Sequence, residues 1–317
     1  MIAPGLLDRR LVFVTGKGGV GKTTVAAGLA FLAASQGKRA LVCEVDAKGS
    51  LAAALETAPL KFAAREVQQN LSAMAMDTEE SLKEYLQLQL RIPFVGRIGP
   101  LARTLDFVAS AAPGVREILT VGKLCWEVRE NHYDLVVVDA SASGHIVGQL
   151  SAPEAINTLV QVGLVREQTR WMLDIMSDPV RTGVAVVVSP EEMPVNEAIE
   201  LIVAIRAETP VDVASVVVNR VLPELFGRGE EEIFEQLRQP ELTGRLANLA
   251  GEGAVDVLDA AALAVALRRR KAAHLARLRQ SLDPSLPMLY VPELFARLDG
   301  LRATAQVATA LGEELGY

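Results

Sequence analysis

GKGGVGKTT, residues 16–24, sets the fold class of this 317-residue chain. It follows an apolar run, Leu11–Val14, and leads into a run of helix-forming residues, Val25–Ala30. The spacing G-x-x-x-x-G-K-T between a strand and a helix is that of a phosphate-binding loop. Because glycine has no Cβ, consecutive backbone N–H groups can turn inward toward phosphate oxygens. The stretch therefore predicts a P-loop that binds a nucleoside triphosphate.

Each position of the loop has an expected role. The helix that follows begins with free N–H groups and a partial positive charge, so an anion binds well there. We expect Lys22 to reach the β- and γ-phosphates and the Thr23 hydroxyl to coordinate Mg²⁺. Lys17 is a second lysine that an ordinary loop does not need. The predicted nucleotide-binding residues of the loop are Gly16, Lys17, Gly18, Gly19, Val20, Gly21, Lys22, Thr23 and Thr24.

A dinucleotide-binding enzyme of the NAD type is the competing interpretation. The loop glycines also satisfy G-x-G-x-x-G, and Glu44 and Asp46 end the next strand, where a ribose-binding carboxylate belongs. Lys22 and Thr23 favour the triphosphate, because a pyrophosphate on such a helix needs neither a lysine nor a metal-binding hydroxyl.

The composition allows a large core and excludes several protein classes. Half of the residues are hydrophobic and 22% are charged, with a formal net charge of −7. A general nucleic-acid binder normally carries positive charge. Cys43 and Cys125 are far apart, which predicts neither a disulfide framework nor a zinc site. With no signal-peptide pattern and no apolar run near the roughly 18 residues of a membrane span, we expect a cytoplasmic protein without a transmembrane segment.

Short β-branched runs alternate with helical stretches, the pattern of a mostly parallel sheet covered on both faces. The fold class predicted is α/β, of the doubly wound P-loop NTPase type with helical insertions. The predicted strands are residues 10–15, 39–45, 134–139, 183–188, 213–218 and 287–291. The predicted crossover helices are residues 21–36, 194–207 and 300–313.

Two connections are much longer than an ordinary crossover. The pattern predicts a single domain, 1–317, with helical insertions at about 50–130 and 221–286. The helices expected inside them are Ser81–Leu90, Pro100–Ser110, Val115–Glu130 and about 254–280. The last contains the basic run Arg268–Lys271, which we interpret as a solvated helix face because leucines supply a packing stripe.

Two carboxylates follow buried strands and are candidates for the chemistry. Asp139 ends the run Leu135–Asp139, and beside a P-loop such an aspartate holds Mg²⁺ through a water. Asp46 closes the second strand, where it could orient the attacking water. The small residues Ala140–His145 suit a segment that senses the γ-phosphate and moves.

The chain also resembles a known family. GKGGVGKTT resembles the deviant Walker A loop of dimeric ATPases, and Asp139–His145 (DASASGH) resembles the D-T-A-P-T-G-H switch II of ArsA-like and tail-anchored-protein-targeting ATPases. Further motifs that carry the resemblance are Pro113-Gly114 with Glu117, Asp178-Pro179, Ser189-Pro190-Glu191 with Glu197, Val218-Asn219-Arg220 and Val291-Pro292-Glu293. The resemblance to the ArsA-like family spans nearly the whole chain.

The resemblance implies an ATPase with ATP and Mg²⁺ as cofactors, in which Lys17, Lys22 and Asp46 are catalytic. Lys17 matches a lysine that crosses a dimer interface to the partner's nucleotide. Asp46 matches an aspartate that activates water, and it would contact Mg²⁺ through a water, as would Asp139. The remaining nucleotide contacts implied are Asn219 on adenine, Pro292 beside the base and Glu191 near the nucleotide at the dimer interface.

The departures from the family bear on the role. The usual switch I, D-P-A-H, is replaced by Asp46-Ala47-Lys48-Gly49. The chain has no C-x-x-C pair and no clustered cysteines, so it does not predict arsenite binding, which needs several thiolates.

The expected partners are a second copy or a related ATPase, with a hydrophobic client protein or membrane partner. The apolar insertion, including Leu82 and Tyr85, either packs on the sheet or forms a client groove, and Trp171 and Met172 after switch II could face the same way. A nucleotide-gated interaction switch with negligible turnover is the alternative to an active ATPase.

Overall fold

One eight-stranded sheet organises the molecule, with the strands in the order β3-β4-β2-β5-β1-β6-β7-β8. The computed structural model describes residues 5–46, 48–90, 114–159, 164–251, 253–294 and 300–317. The strands are β1 Leu11–Gly16, β2 Ala40–Glu44, β3 Arg65–Gln68, β4 Leu71–Ala75, β5 Leu135–Ala142, β6 Thr182–Val188, β7 Val213–Val221 and β8 Met288–Pro292. All neighbours pair in parallel except β3 with β4.

Helices cover both faces of this sheet, which confirms the predicted α/β, doubly wound, mostly parallel architecture. A short 3-10 helix, Leu6–Asp8, precedes β1. The α-helices described are α1 Lys22–Ser35, α2 Ser50–Ala54, α3 Thr78–Leu90, α4 Val115–Arg129, α5 Ser143–Leu159, α6 Leu164–Met176, α7 Glu192–Glu208, α8 Arg228–Leu237, α9 Pro240–Ala250, α10 Gly253–Ser281 and α11 Gly300–Leu315. None of them is long and apolar enough to cross a membrane.

Successive side chains along the central strands point to opposite faces of the sheet, so they contribute to two separate hydrophobic cores. In β1, Leu11 and Phe13 join the core under α4 to α7, whereas Val12 and Val14 join the core under α1, α2 and α11. All six residues of β1 are buried, because a parallel strand in the middle of the sheet is covered from both sides. Burial on both faces explains the continuous apolar runs in the sequence and fixes the position of the loop that follows β1.

The prediction of an all-helical first insertion was wrong. The connection between β2 and β5 contains β3 and β4, and β4 extends the sheet by pairing in parallel with β2, from Ala40–Leu71 to Glu44–Ala75. The β4 sequence, LSAMA, has no β-branched or aromatic residue, so its strand propensity is weak. Pairing with the exposed edge of β2 decides its conformation.

The other predicted helices agree with the structure within their described parts. Helices α3, α4 and α10 correspond to the predicted ranges 81–90, 115–130 and 254–280, and the second insertion is helical. The predicted helix Pro100–Ser110 lies outside the described residues, as do Pro113 and Ala47. The extent of a single domain over 1–317 stays a prediction.

The basic run of α10 is occupied by intramolecular ion pairs. Arg268 pairs with Glu224 at 3.3 Å, and Arg269 pairs with Glu231 at 2.6 Å. Both arginines are more than two-fifths exposed. This confirms that the run is a solvated face paired with acidic residues of the same chain.

Helix α1 packs closely on α11 at a glycine, and this contact gives a test of the packing. A Cβ on Gly28 would lie 2.8 Å from Cγ1 of Val307 and 3.3 Å from the backbone nitrogen of Ala308. We expect Gly28→Ala to reduce the free energy of unfolding by about 1–2 kcal/mol, because overpacking outweighs the roughly 1 kcal/mol of helix propensity that alanine adds. Urea denaturation measures the change.

The matched control is Gly148→Ala in α5, where a Cβ would meet nothing within 4 Å. It should increase stability by up to about 1 kcal/mol. Adding Val307→Ala should make Gly28→Ala less damaging than it is alone. Equal stability of Gly28→Ala and the parent protein would contradict the proposed contact.

Candidate functional site

The phosphate-binding loop connects the carboxyl end of β1 to the start of α1, and two of its glycines are required by their surroundings. Gly16 has φ +145° and Gly21 has φ +95°, which side chains rarely tolerate. A Cβ on Gly16 would overlap the carbonyl oxygen of Val187, and one on Gly21 would overlap the side-chain amide of Asn219. Neighbouring strands β6 and β7 therefore enclose the outer side of the loop.

The inner side of the loop is open. A Cβ placed on Gly18 or Gly19 would meet no heavy atom within 4 Å. Helix α1 begins after Gly21, and no side chain caps its first N–H groups. The free N–H groups and partial positive charge of this helix start favour an anion, and the open space beside it leaves room for one.

Beneath the loop, Thr23 is joined to Asp139. The Thr23 hydroxyl donates a hydrogen bond of 2.6 Å to Oδ2 of Asp139, whose residue is 7% exposed. Burial raises the pKa of Asp139 to about 6, although the Thr23 hydrogen bond and the charge of Lys22 oppose the rise. The raised pKa means that the ionised carboxylate lacks sufficient positive charge around it.

Lys22 lies in the same environment. Its ammonium is 3.4 Å from the carbonyl oxygen of Lys17. Burial lowers the pKa of Lys22, with Asp139 acting in the opposite direction. The lysine is thus held over the loop in a partly desolvated position, where a phosphate oxygen would be a stronger partner than a carbonyl.

Parallel pairing brings three carboxylates to this edge of the sheet. Glu44 of β2 lies opposite Asp139 of β5, and Asp139 lies opposite Val14 of β1. Asp46 follows two residues after Glu44. The register therefore places the two candidate aspartates predicted from the sequence beside the loop.

Asp46 has partners from three parts of the chain. Its Oδ1 accepts a hydrogen bond of 3.3 Å from the Ser141 hydroxyl and lies 3.9 Å from the guanidinium of Arg116. Its Oδ2 is 3.5 Å from the ammonium of Lys48. Asp46 thus connects the end of β2 with β5 and with the first turn of α4.

Glu44 has a structural task that counts against the dinucleotide alternative. Its buried carboxylate accepts backbone N–H groups of Gly49, Ser50 and Leu51 at 3.2, 2.9 and 3.3 Å. These groups form the start of α2, and Glu44 is 3% exposed. A carboxylate used in this way is not free to bind a ribose.

Lys17 is paired within its own chain. Its ammonium contacts Oε1 of Glu197 in α7, and both side chains are about 30% exposed. The other oxygen of Glu197 accepts a hydrogen bond of 3.4 Å from Ser143, the first residue of α5. The carboxylate thus joins the loop to the segment that follows Asp139; the action of Lys17 on a partner's nucleotide stays a prediction.

The predicted adenine-side residues lie on neighbouring strands and at one helix start. The Asn219 amide nitrogen donates a hydrogen bond of 2.8 Å to the carbonyl of Val20 in the loop. Pro292 is the exposed last residue of β8, and Glu191 is the exposed residue before α7. The structure thus gives Asn219 a contact with the loop, and the roles of all three toward a nucleotide stay predictions.

Several contacts of the site were missed from the sequence. Arg116 and Asp46 are 70 positions apart, and no spacing rule connects them. The pairing of Glu197 with Lys17 likewise depends on the placement of α7. Glu44 had a usable signal in the sequence, since a carboxylate at the end of a buried apolar strand must find hydrogen-bond partners there.

A cavity of about 400 Å³ lies away from the loop, between α3, α4, α5 and α6. Leu82, Tyr85, Trp171 and Met172, all taken from the sequence as possible groove residues, line it. Lys123 also reaches it, but its charge is balanced by Glu84 at 2.8 Å and Glu127 at 2.7 Å. The cavity is therefore mainly apolar, and the lysine that lines it is already paired.

Comparison with known proteins supports the interpretation of the loop. A family model described as anion-transporting ATPase matches residues 9–172 and 159–241. ATPase BagA of Mycobacterium tuberculosis is 32% identical over 225 residues, a match that covers 68% of this chain and 66% of that protein, just under two thirds. ATPase get3 of Schizosaccharomyces japonicus is 33% identical over 165 residues, covering 48% of this chain and 49% of that protein.

The matched region contains the loop, Asp46, Asp139, Glu197 and Asn219. Both of these relatives are named as ATPases. The chain belongs to the anion-transporting ATPase, or ArsA, family.

Proposed function

We propose that this protein is an ATPase that binds Mg·ATP at a dimer interface and uses hydrolysis to change conformation. The observation that carries the proposal is the Thr23–Asp139 hydrogen bond beneath an open, uncapped loop. A hydroxyl and a carboxylate of the neighbouring strand β5 at this place are the parts that a P-loop nucleotidase needs for its metal. A glycine-rich turn without a ligand has no need of either.

The residues present fit Mg²⁺. The Thr23 hydroxyl and the carboxylates of Asp139 and Asp46 are oxygen donors, which this ion prefers. The raised pKa of Asp139 also indicates a place for added positive charge. Among the described residues no cluster of three or more His, Cys, Asp or Glu forms a metal site, so phosphate oxygens and water would complete the coordination shell. When bound, the ion would neutralise charge on the β- and γ-phosphates.

The residues of this chain then have distinct tasks in hydrolysis. The backbone N–H groups of residues 17–21 would hold the phosphate tail, and Lys22 would neutralise its β- and γ-oxygens. Asp46 would orient the attacking water and accept its proton. Lys17, after release from Glu197, would stabilise charge in the partner's transition state. Asn219 and Pro292 would contact the adenine, and Glu191 the dimer interface.

For the biological role we propose ATP-driven handling of a hydrophobic client protein or membrane partner in the cytoplasm. The partner subunit would be a second copy or a related ATPase. The mainly apolar cavity between α3 and α6 supports this role, since it offers unfilled hydrophobic surface. An interaction switch with negligible turnover is the second candidate, favoured by the in-chain pairing of Lys17 with Glu197.

Steady-state phosphate release with Mg·ATP, compared with Asp46→Asn, tests the proposed activity. The parent protein should release phosphate, whereas the variant should retain bound ATP and fall at least tenfold in turnover, because an amide cannot accept a proton from water. Bound nucleotide is identified by chromatography after rapid desalting. ATP-dependent dimerisation without phosphate release would select the interaction switch, and binding of NADH in place of Mg·ATP would reject both candidates.

Lys17→Ala should reduce phosphate release at least a hundredfold and change ATP affinity by less than tenfold, since its ammonium would act mainly in the transition state. Glu197→Gln is the matched control, because it breaks the same ion pair from the other side. That control should keep phosphate release within a few-fold of the parent. If both variants lose activity equally, the ion pair itself is what matters and the proposed transition-state role is wrong.

Asp139→Asn should stabilise the nucleotide-free protein at pH 7.5. Between about pH 4 and 6 the unfolded chain ionises Asp139 while the folded chain keeps it protonated, so the folded state loses up to about 3 kcal/mol as pH rises. The amide removes this cost, so the variant should be more stable by about 1–3 kcal/mol at pH 7.5 and equal near pH 4. Urea denaturation in EDTA measures the difference.

Asp134→Asn is the control, because the pKa of Asp134 is shifted in the opposite direction to that of Asp139. Hydrogen bonds from Arg39 lower the pKa of Asp134 to about 2, so its ionised form stabilises the folded state above about pH 4 and that stability is lost as pH falls toward 2. This variant should be less stable than the parent at pH 7.5. If Asp139→Asn is also less stable there, the Asp139 charge is already balanced without a metal.

A further inference from the structure

Lys48 is a cation of the site that neither the sequence motifs nor the family resemblance assigns. It occupies a place in switch I where the family pattern D-P-A-H has no lysine or arginine. Its ammonium lies 3.5 Å from Oδ2 of Asp46, on the carboxylate predicted to face the attacking water. Asp46 follows β2 two residues after Glu44, which pairs with Asp139 of β5, so Lys48 lies at the same edge of the sheet as the loop.

The ion pair between Lys48 and Asp46 is easily broken, so that each side chain can take another partner. The Lys48 side chain is 72% exposed and that of Asp46 is 34% exposed. Ion pairs this open to water contribute little stability, because water and salt screen them and two side chains must be held in place. A lysine on a flexible four-carbon stem will leave such a partner for a more highly charged one.

Asp46 does not depend on Lys48 alone. Ser141 donates to its other oxygen at 3.3 Å, and Arg116 lies 3.9 Å from the same oxygen. These partners come from β5 and α4, outside switch I. If Lys48 moved away, the carboxylate would keep a hydrogen bond and a nearby cation, so the move would not leave a charge alone.

We propose that Lys48 is a γ-phosphate-binding residue: when Mg·ATP enters the loop, its ammonium leaves Asp46 and binds the terminal phosphate. The inference deepens the proposed ATPase function and rests on it. The terminal phosphate is the target because Lys48 is held by Asp46, the residue proposed to orient the water that attacks that phosphorus. Departure of Lys48 would free Oδ2 of Asp46 for the water only when a triphosphate is bound.

The experiment compares two affinities in one titration series. Isothermal titration gives the dissociation constants of Mg·ADP and of Mg·AMPPNP, a triphosphate analogue that is not hydrolysed. Lys48→Gln should raise the dissociation constant of Mg·AMPPNP about tenfold, which is the contribution of one charge-assisted hydrogen bond. The dissociation constant of Mg·ADP should stay within twofold of the parent's. Lys48→Arg, which keeps the charge, should stay within threefold of the parent for both ligands.

Two matched variants separate phosphate binding from a general charge effect. Arg116→Gln removes the other cation beside Asp46, and Arg181→Gln removes a cation at the opposite edge of the sheet, before β6. Both should keep the parent's ratio of the two affinities. If Arg116→Gln changes the ratio as much as Lys48→Gln does, the effect comes from the charge on Asp46 and the assignment to Lys48 is wrong.

The remaining outcomes are equally clear. If Lys48→Gln reduces the affinity for both ligands equally, or for neither, the inference is overturned, although the protein still binds nucleotide. A parent protein that binds neither ligand at millimolar concentration overturns the proposed function itself and this inference with it. The parent's own titration therefore distinguishes the two failures.

Discussion

A buried carboxylate under an uncapped helix start is the constraint on which the rest of this site depends. Asp139 is 7% exposed, and burial raises its pKa to about 6 even though Thr23 donates a hydrogen bond to it and Lys22 lies nearby. Burying an ionisable group costs stability unless it is paired. A cation bound beside Asp139 would relieve this cost.

The neighbouring acidic side chains share one physical role, which is to join separate elements of the fold at this edge of the sheet. Glu44 holds the start of α2, Asp46 joins the end of β2 to Ser141 and Arg116, and Glu197 joins Lys17 to Ser143. In two of these links, those of Asp46 and Glu197, the carboxylate is paired with a cation for which a phosphate would compete. Under the proposed function, an incoming phosphate would therefore change the partners of Asp46 and of Glu197.

The parts recovered from the sequence are those in which local chemistry leaves few choices. The loop, its strand–helix context and the two candidate aspartates follow from short patterns with a strict physical meaning, although β5 continues past Asp139 to Ala142 and did not end there as predicted. Strand β4 was missed because Leu71–Ala75 lacks strand-forming residues and is held by pairing with β2. The contact of Arg116 with Asp46 was missed for a similar reason, since it depends on where α4 begins relative to the sheet.

The sequence by itself determined the α/β class, the phosphate-binding loop, the candidate residues Lys17, Lys22, Thr23, Asp46 and Asp139, and the family. Tertiary structure alone decided which of these groups meet and what each one contacts. Glu44 holds a helix start, Asn219 supports the loop and Lys17 is paired within its own chain. The reason is that local patterns fix backbone conformation and burial, whereas partners far apart in sequence are fixed only by strand register and helix packing.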